Sequence, residues 1–183
     1  MEFIKTEIPE VILCKPTLFG DARGYFCETF KKSELEAFLG EKIHFCQDNE
    51  AKSSANVLRG LHYQLAPFAQ TKLVRVIKGS VLDVVVDIRK KSPTFGKHIS
   101  VELSEANKLQ LLVPKGFAHG YIALEDETIF SYKVDNYYHK EAERGILYND
   151  ELLNINWGSF KKSFIVSEKD KIQPIFNNAD LFE

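Results

Sequence analysis

From Lys72 onward the apolar residues fall in short alternating or β-branched runs, each the length of a strand: Leu73–Ile77, Val81–Ile88, Ile99–Leu103, Leu109–Val113 and Thr128–Val134. Turn signals separate them at Lys78-Gly79-Ser80, Ser92-Pro93-Thr94-Phe95-Gly96, Ser104-Glu105-Ala106-Asn107, Pro114-Lys115-Gly116 and Glu125-Asp126-Glu127. This spacing predicts an all-β sandwich or barrel in a single domain over 1–183. One peripheral helix is marked by Ser33 as its cap, Glu36 at the capping-box position, the apolar stripe Leu35, Phe38 and Leu39, and Gly40 at its end. Beyond Tyr137 the chain is charged and irregular, with short helical starts expected at Asp150–Leu153 and Ser167–Asp170.

One stretch breaks the pattern. Arg59-Gly60-Leu61-His62-Tyr63-Gln64, followed by Gln70-Thr71-Lys72, sets an imidazole, two cations and two amides into a segment otherwise written as strand. A buried cation or imidazole costs several kcal/mol unless paired, so the cluster predicts a lined cavity holding a ligand or counter-charges. Length and composition add limits. The 183 residues carry a net charge of −2 with a pI near 6.2, which argues against a general nucleic-acid footprint. The N-terminus lacks a basic start and apolar run, and no stretch approaches a membrane span, so a cytoplasmic protein is expected. Cys14, Cys27 and Cys46 match neither a disulfide framework nor a zinc spacing and read as reduced packing residues.

Pro114-Lys115-Gly116-Phe117-Ala118-His119 resembles the second signature of the cupin barrels. Metal-binding cupins carry two histidines two residues apart in their first signature, with a glutamate downstream. Here Gln64 follows His62, and no glutamate occurs before Gly79. An amide is a poor ligand for the transition metals that imidazole and carboxylate hold, so no metal is expected. A metal-free cavity with His, Lys and Tyr suits acid–base chemistry on a carbon acid, provided a cation or hydrogen-bond donor stabilises the enolate oxygen.

The ordered run Gly20-x-x-Arg23-Gly24-x-Phe26-x-Glu28, Gln47-Asp48-Asn49, Ser53, Arg59–Gln64, Gln70–Val74, Asp83–Arg89, Ser92–Gly96, Gly116–Gly120, Tyr132-Lys133 and Ser167-x-Lys169-Asp170 resembles the dTDP-4-dehydrorhamnose 3,5-epimerase family. The resemblance spans nearly the whole chain. It implies a cupin-type jelly-roll barrel and cofactor-independent epimerisation at C3 and C5 of a dTDP-linked 4-keto-6-deoxyhexose. It makes His62 the base, Asp170 the carboxylate that orients it, Lys72 the enolate stabiliser and Tyr132 the proton donor on the opposite face. A lysine near the phenol is expected to lower its pKa. The family's substrate-binding positions fall on Arg23, Glu28, Gln47, Asp48, Asn49, Arg59, Lys72, His119, Glu143 and Lys169, with Tyr138 stacking on thymine. The N-terminal part of one subunit reaches its partner's site in the family, which implies a homodimer.

The chain departs from the family pattern at His139-Lys140, at Tyr148 in place of tryptophan and at Gly158 after Trp157, positions expected around the nucleotide end. Outside the motifs, His44, His98 and His139 read as satisfied polar residues, and Arg89 to Lys91 as a solvated strand end. Arg23 also suits a plain turn, and Asp83 and Asp87 suit structural carboxylates. Competing functions are an epimerase or ketoisomerase of another nucleotide-linked 4-keto sugar, a sugar-nucleotide-binding barrel without turnover, and a metal-dependent oxygenase.

Overall fold

The computed structural model describes residues 1–158 and 163–183. In chain order its strands are β1 (Glu2–Lys5), β2 (Ile12–Lys15), β3 (Leu18–Asp21), β4 (Gly24–Cys27), β5 (Gln47–Ser53), β6 (Val57–Gln64), β7 (Lys72–Lys78) and β8 (Ser80–Asp87). They continue with β9 (His98–Ser104), β10 (Gln110–Val113), β11 (Phe117–Ala123), β12 (Thr128–Val134), β13 (Glu143–Gly145) and β14 (Ile165–Val166). Helix α1 spans Lys32–Leu39 and the one-turn helix α2 spans Glu168–Lys171. Among the described residues two main sheets face each other, ordered β1-β2-β10-β7-β12-β5 and β13-β6-β11-β8-β9, with β14 added in parallel to β6. The hairpin β3–β4 stands apart as a two-stranded ribbon.

Alternation along the strands explains why the sheets pack. Val74, Val76 and Phe130 from the first sheet meet Val81, Val85, Phe117 and Tyr121 from the second in one buried cluster. A second cluster covers the outer face of the second sheet, where Leu58, Leu61, Val84, Val86 and Ile122 pack under Trp157 and Phe176 of the C-terminal segment. Tyr148 belongs to this layer: it packs against the cluster, and its carbonyl accepts a bond from Trp157 Nε1 at 2.7 Å. The departure at Tyr148 is thus a substitution in this packed layer, not a change at a ligand's edge, while Gly158 is exposed just past buried Trp157. The third cluster seats α1 on the first sheet through Leu35, Ile12, Leu73 and Leu112.

Helix α1 begins one residue before the predicted cap. Lys31 holds the cap position with extended backbone and no side-chain cap bond, so Ser33 lies inside the helix. Glu36 is spent on the far end, where it accepts from Ile43 N–H at 3.1 Å. Gly40 ends the helix as expected, at a φ of 75° that favours glycine. The C-terminal expectation divides. Ser167 caps α2 by accepting from Asp170 N–H, whereas Asp150–Leu153 forms a turn, with buried Asp150 accepting from Leu153 and Phe176 N–H groups. Arg89 is not a solvated strand end. It bonds Asp87, Glu10 and Ser92 and lies 4.5 Å over the Phe117 ring.

The local feature that matters most is a bulge in β6. His62 pairs with His119, but Arg59 pairs with Tyr121, so three steps on β6 match two on β11. Strand alternation would put Arg59 and His62 on opposite faces, and the extra residue turns both toward the same side. Gly60 makes this possible. Its φ is +132°, and a Cβ there would lie 2.5 Å from Gly120 Cα, closer than any real contact. We expect Gly60→Ala to destabilise the fold by on the order of 3 kcal/mol through strain and overpacking. Thermal unfolding checks it, and an unchanged melting temperature would show that the close approach is not needed.

Candidate active site

Between the sheets lies a cavity of about 490 Å³ whose wall includes Arg59, His62, Lys72, His119, Tyr132 and Asp170. A smaller chamber of about 270 Å³ adjoins it, sharing His62, Lys72 and Tyr132 and adding Gln47, Asn49, Tyr138 and Glu143. Each polar side chain arrives by strand geometry. Lys72 opposes Val134 and Tyr132 opposes Val74, so the amine and the phenol are diagonal neighbours on the inner face of the first sheet. His62 and His119 oppose each other on β6 and β11 of the second sheet.

His62 Nε2 lies 2.6 Å from Asp170 Oδ1. The carboxylate is fixed in turn: Asp170 Oδ2 accepts from Gly60 N–H at 3.4 Å, and the Asp170 backbone N–H bonds the Ser167 hydroxyl. Burial pushes the Asp170 carboxyl up, but the bonds from His62, Gly60 and Ser167 outweigh it and hold the group below its ordinary value. With Nε2–H given to Asp170, Nδ1 is the nitrogen left to take a proton, and it makes no hydrogen bond among the described residues.

A second pair faces the same space. His119 Nε2 sits 2.9 and 3.0 Å from the two oxygens of fully buried Asp83, so Asp83 is indeed a structural carboxylate. Burial pushes Asp83 up, against the pull of His119 and Lys72. The same burial brings the Lys72 ammonium down to about 8, with Asp83 and Glu143 opposing the fall. Tyr132 departs from expectation. Burial raises its phenol, and the cation that opposes this is Arg59 rather than Lys72. The hydroxyl therefore keeps its proton at neutral pH, which is the state a proton donor requires.

At the outer end, Glu143 accepts from Tyr138 Oη at 2.8 Å and pairs with Lys169 at 2.5 Å. Arg59 donates to Ser53 Oγ and the Lys52 carbonyl, which braces the guanidinium at the cavity wall. Gln47 Nε2 donates to Asn49 Oδ1 at 2.7 Å, both on the inward positions of β5. Three predicted binding residues lie elsewhere. Asp48 occupies an outward position of the alternating β5 and pairs with Lys133 at 2.9 Å. Arg23 bonds Asp21 at the tip of the β3–β4 hairpin, realising the plain turn, and Glu28 just beyond that hairpin lines a separate small pocket beside Met1. Neither reaches the cavity of its own chain. His139 is also not the satisfied residue expected: among the described residues its buried Nδ1 has no hydrogen-bond partner, and its ring stacks on Phe68 at 3.7 Å.

A family model described as dTDP-4-dehydrorhamnose 3,5-epimerase matches residues 5–178. The chain belongs to this family. A dTDP-4-dehydrorhamnose 3,5-epimerase from Shigella flexneri is 52% identical over 182 residues, covering 100% of this chain and 99% of that protein. The crystal structure of a family member from Elizabethkingia anophelis NUHP1 superposes with a TM-score of 0.93 at 47% identity, covering 97% of each chain. A dTDP-6-deoxy-D-glucose-3,5-epimerase from Legionella pneumophila Philadelphia 1, in complex with dTDP-4-keto-L-rhamnose, gives 0.93 at 44% identity and covers 98% of this chain and 94% of that one. The two facing sheets are thus the cupin-like jelly roll of these epimerases.

The depressed Lys72 gives a direct check. Its ammonium is fully charged well below the lowered value and loses its proton as pH rises through about 8. A nitrogen NMR titration of Lys72 Nζ should show a midpoint near 8. A midpoint at the ordinary lysine value would mean that Asp83 and Glu143 cancel the effect of burial.

Proposed function

We propose that the chain inverts C3 and C5 of dTDP-4-keto-6-deoxy-D-glucose to give dTDP-4-keto-L-rhamnose, on the route to dTDP-L-rhamnose. The observation that carries this reading is the division of labour between two facing walls. The His62–Asp170 pair stands on β6 of one sheet, while Tyr132 and Lys72 stand on β12 and β7 of the other. The cavity of about 490 Å³ between these walls leaves room for one pyranose ring.

In this reading His62 takes the proton from the carbon next to the C4 ketone, and the C–H electron pair moves to make an enolate. The Lys72 ammonium meets the developing charge on the C4 oxygen, in a site where desolvation strengthens the attraction. Tyr132 then delivers its proton to the opposite face of the carbon, inverting it, and regains one as His62 releases its own to solvent. Arg59 and Lys169 suit the diphosphate, and Tyr138 offers an exposed ring for the base.

Replacing His62 with Ala should lower kcat by at least about 10²-fold with the fold intact, and Lys72→Met should cost about 10²-fold or more. In deuterated water, turnover should place solvent deuterium at both C3 and C5. Label at one carbon only would make the protein a single-centre epimerase. Binding of substrate without exchange at either carbon would leave only the barrel without turnover.

The homodimer belongs to the same proposal. The hairpin β3–β4 exposes Phe19, Tyr25 and Phe26, with Phe26 64% accessible, while its neighbours Arg23 and Glu28 lie outside their own cavity. A partner's cavity is where such a ribbon would place them. Sedimentation should give a dimer, and Arg23→Ala should raise KM with little change in kcat. A fully active monomer would refute the arrangement. The cytoplasmic location expected from the sequence is part of this proposal too.

A further inference from the structure

Gln64 stands two residues after His62, at the position where metal-binding cupins carry their second histidine, and its side chain is only 5% exposed. Its amide is fully engaged. Nε2 donates to the Phe68 carbonyl at 2.7 Å and to the Tyr137 carbonyl at 3.2 Å, and Oε1 accepts from His139 N–H at 2.7 Å. The bonds to Tyr137 and His139 bracket Tyr138 on both sides. One side chain therefore holds the peptide groups immediately before and after that residue.

Tyr138 needs such a hold, because its ring is 58% exposed and among the described residues finds one polar partner, Glu143. Little packing sets the direction of the ring, so its backbone must. Neighbouring residues reinforce the bracket: Gln70 Nε2 donates to the Asn136 carbonyl at 2.7 Å, Asn136 Nδ2 donates to the Pro67 carbonyl at 3.0 Å, and Phe68 stacks on His139. Gln64, Pro67, Phe68 and Gln70 lie on or just after the strand that carries His62, and together they hold the segment 136–139 that follows β12.

We propose that Gln64 is a positioning residue for nucleotide recognition, aiming the Tyr138 ring at the base of the substrate from the same strand that supplies the proton acceptor. The inference rests on the assignment of Tyr138 to the nucleobase made above. The side chain at this cupin position, which also lines the chamber shared by His62, Lys72 and Tyr132, thus serves the ligand's distant end through a loop.

Gln64→Glu keeps the acceptor for His139 and replaces two donated bonds with a carboxylate facing two carbonyls. Gln64→Met keeps the size and removes all three bonds. Both should weaken dTDP binding, measured by calorimetry, by about tenfold or more, because buried amide and carbonyl groups lose their partners. KM for the nucleotide sugar should rise in parallel, with kcat within about threefold of the parent. Tyr138→Ala, measured alongside, separates the two layers of the argument. If Tyr138→Ala weakens dTDP but both Gln64 variants bind it normally, the bracket is overturned and the base assignment stands. If Tyr138→Ala binds dTDP normally, the base assignment falls and the proposal with it. A loss confined to kcat, or failure of both Gln64 variants to fold, would also overturn it, since Gln64 would then serve the chemistry or the core.

Discussion

The site depends on one close approach, the crossing of Gly60 on β6 over Gly120 on β11. Two strands can come this near only where neither has a side chain between them. The approach accompanies a register step that aims Arg59 and His62 into the same cavity, although they are three residues apart. It also presents Gly60 N–H to Asp170, so the backbone that positions His62 helps to position the carboxylate behind it. An ordinary strand would have buried one of these two side chains in the outer core and left the other alone.

Around that crossing the protein keeps charge between its sheets where an ordinary sandwich would be apolar. Asp83 balances both Lys72 and His119, and burial acts on Lys72, Asp83 and Tyr132 at once. The effects are opposite in sign and useful together: the lysine is made easier to deprotonate, while the phenol of Tyr132 is made harder to ionise. A cavity that holds one group as a cation and the other as a neutral donor has the two forms needed on either side of an enolate. The same electrostatics explain why Gln64 fits where a metal ligand stands in other barrels: an uncharged amide adds bonding without another charge to balance.

Much of this was legible in the sequence, and the failures have physical reasons. Thr128–Val134 was bounded correctly because its period-two pattern runs between clear turns. Strand β5 was not marked as one, because Gln47–Ser53 is almost wholly polar and its alternation is between half-buried and exposed polar groups. The hairpin β3–β4 escaped for the opposite reason: its aromatic residues point outward, so burial gives no pattern to read. The resemblance to the family names His62, Lys72, Tyr132 and Asp170, and the structure lines one cavity with all four, whereas nothing in the local pattern of Lys169-Asp170-Lys171 distinguishes a buried carboxylate from a solvated one. The bulge was invisible, since a single glycine within a strand says nothing about which partner strand will cross it. Asp48 shows the limit of carrying a tripeptide whole, because alternation separates it from Gln47 and Asn49.

His62 and Asp170 are 108 residues apart in the chain, and the acid end of the pair sits on a single helical turn capped by Ser167. As the chain leaves the ribosome, the strand bearing His62 is made long before the turn bearing its carboxylate partner. A nascent protein can thus pair β6 with β11 and still hold an imidazole with nothing behind it. The pair is completed only by the docking of a late segment, the same one that adds β14 to β6 and lays Phe176 on the second sheet.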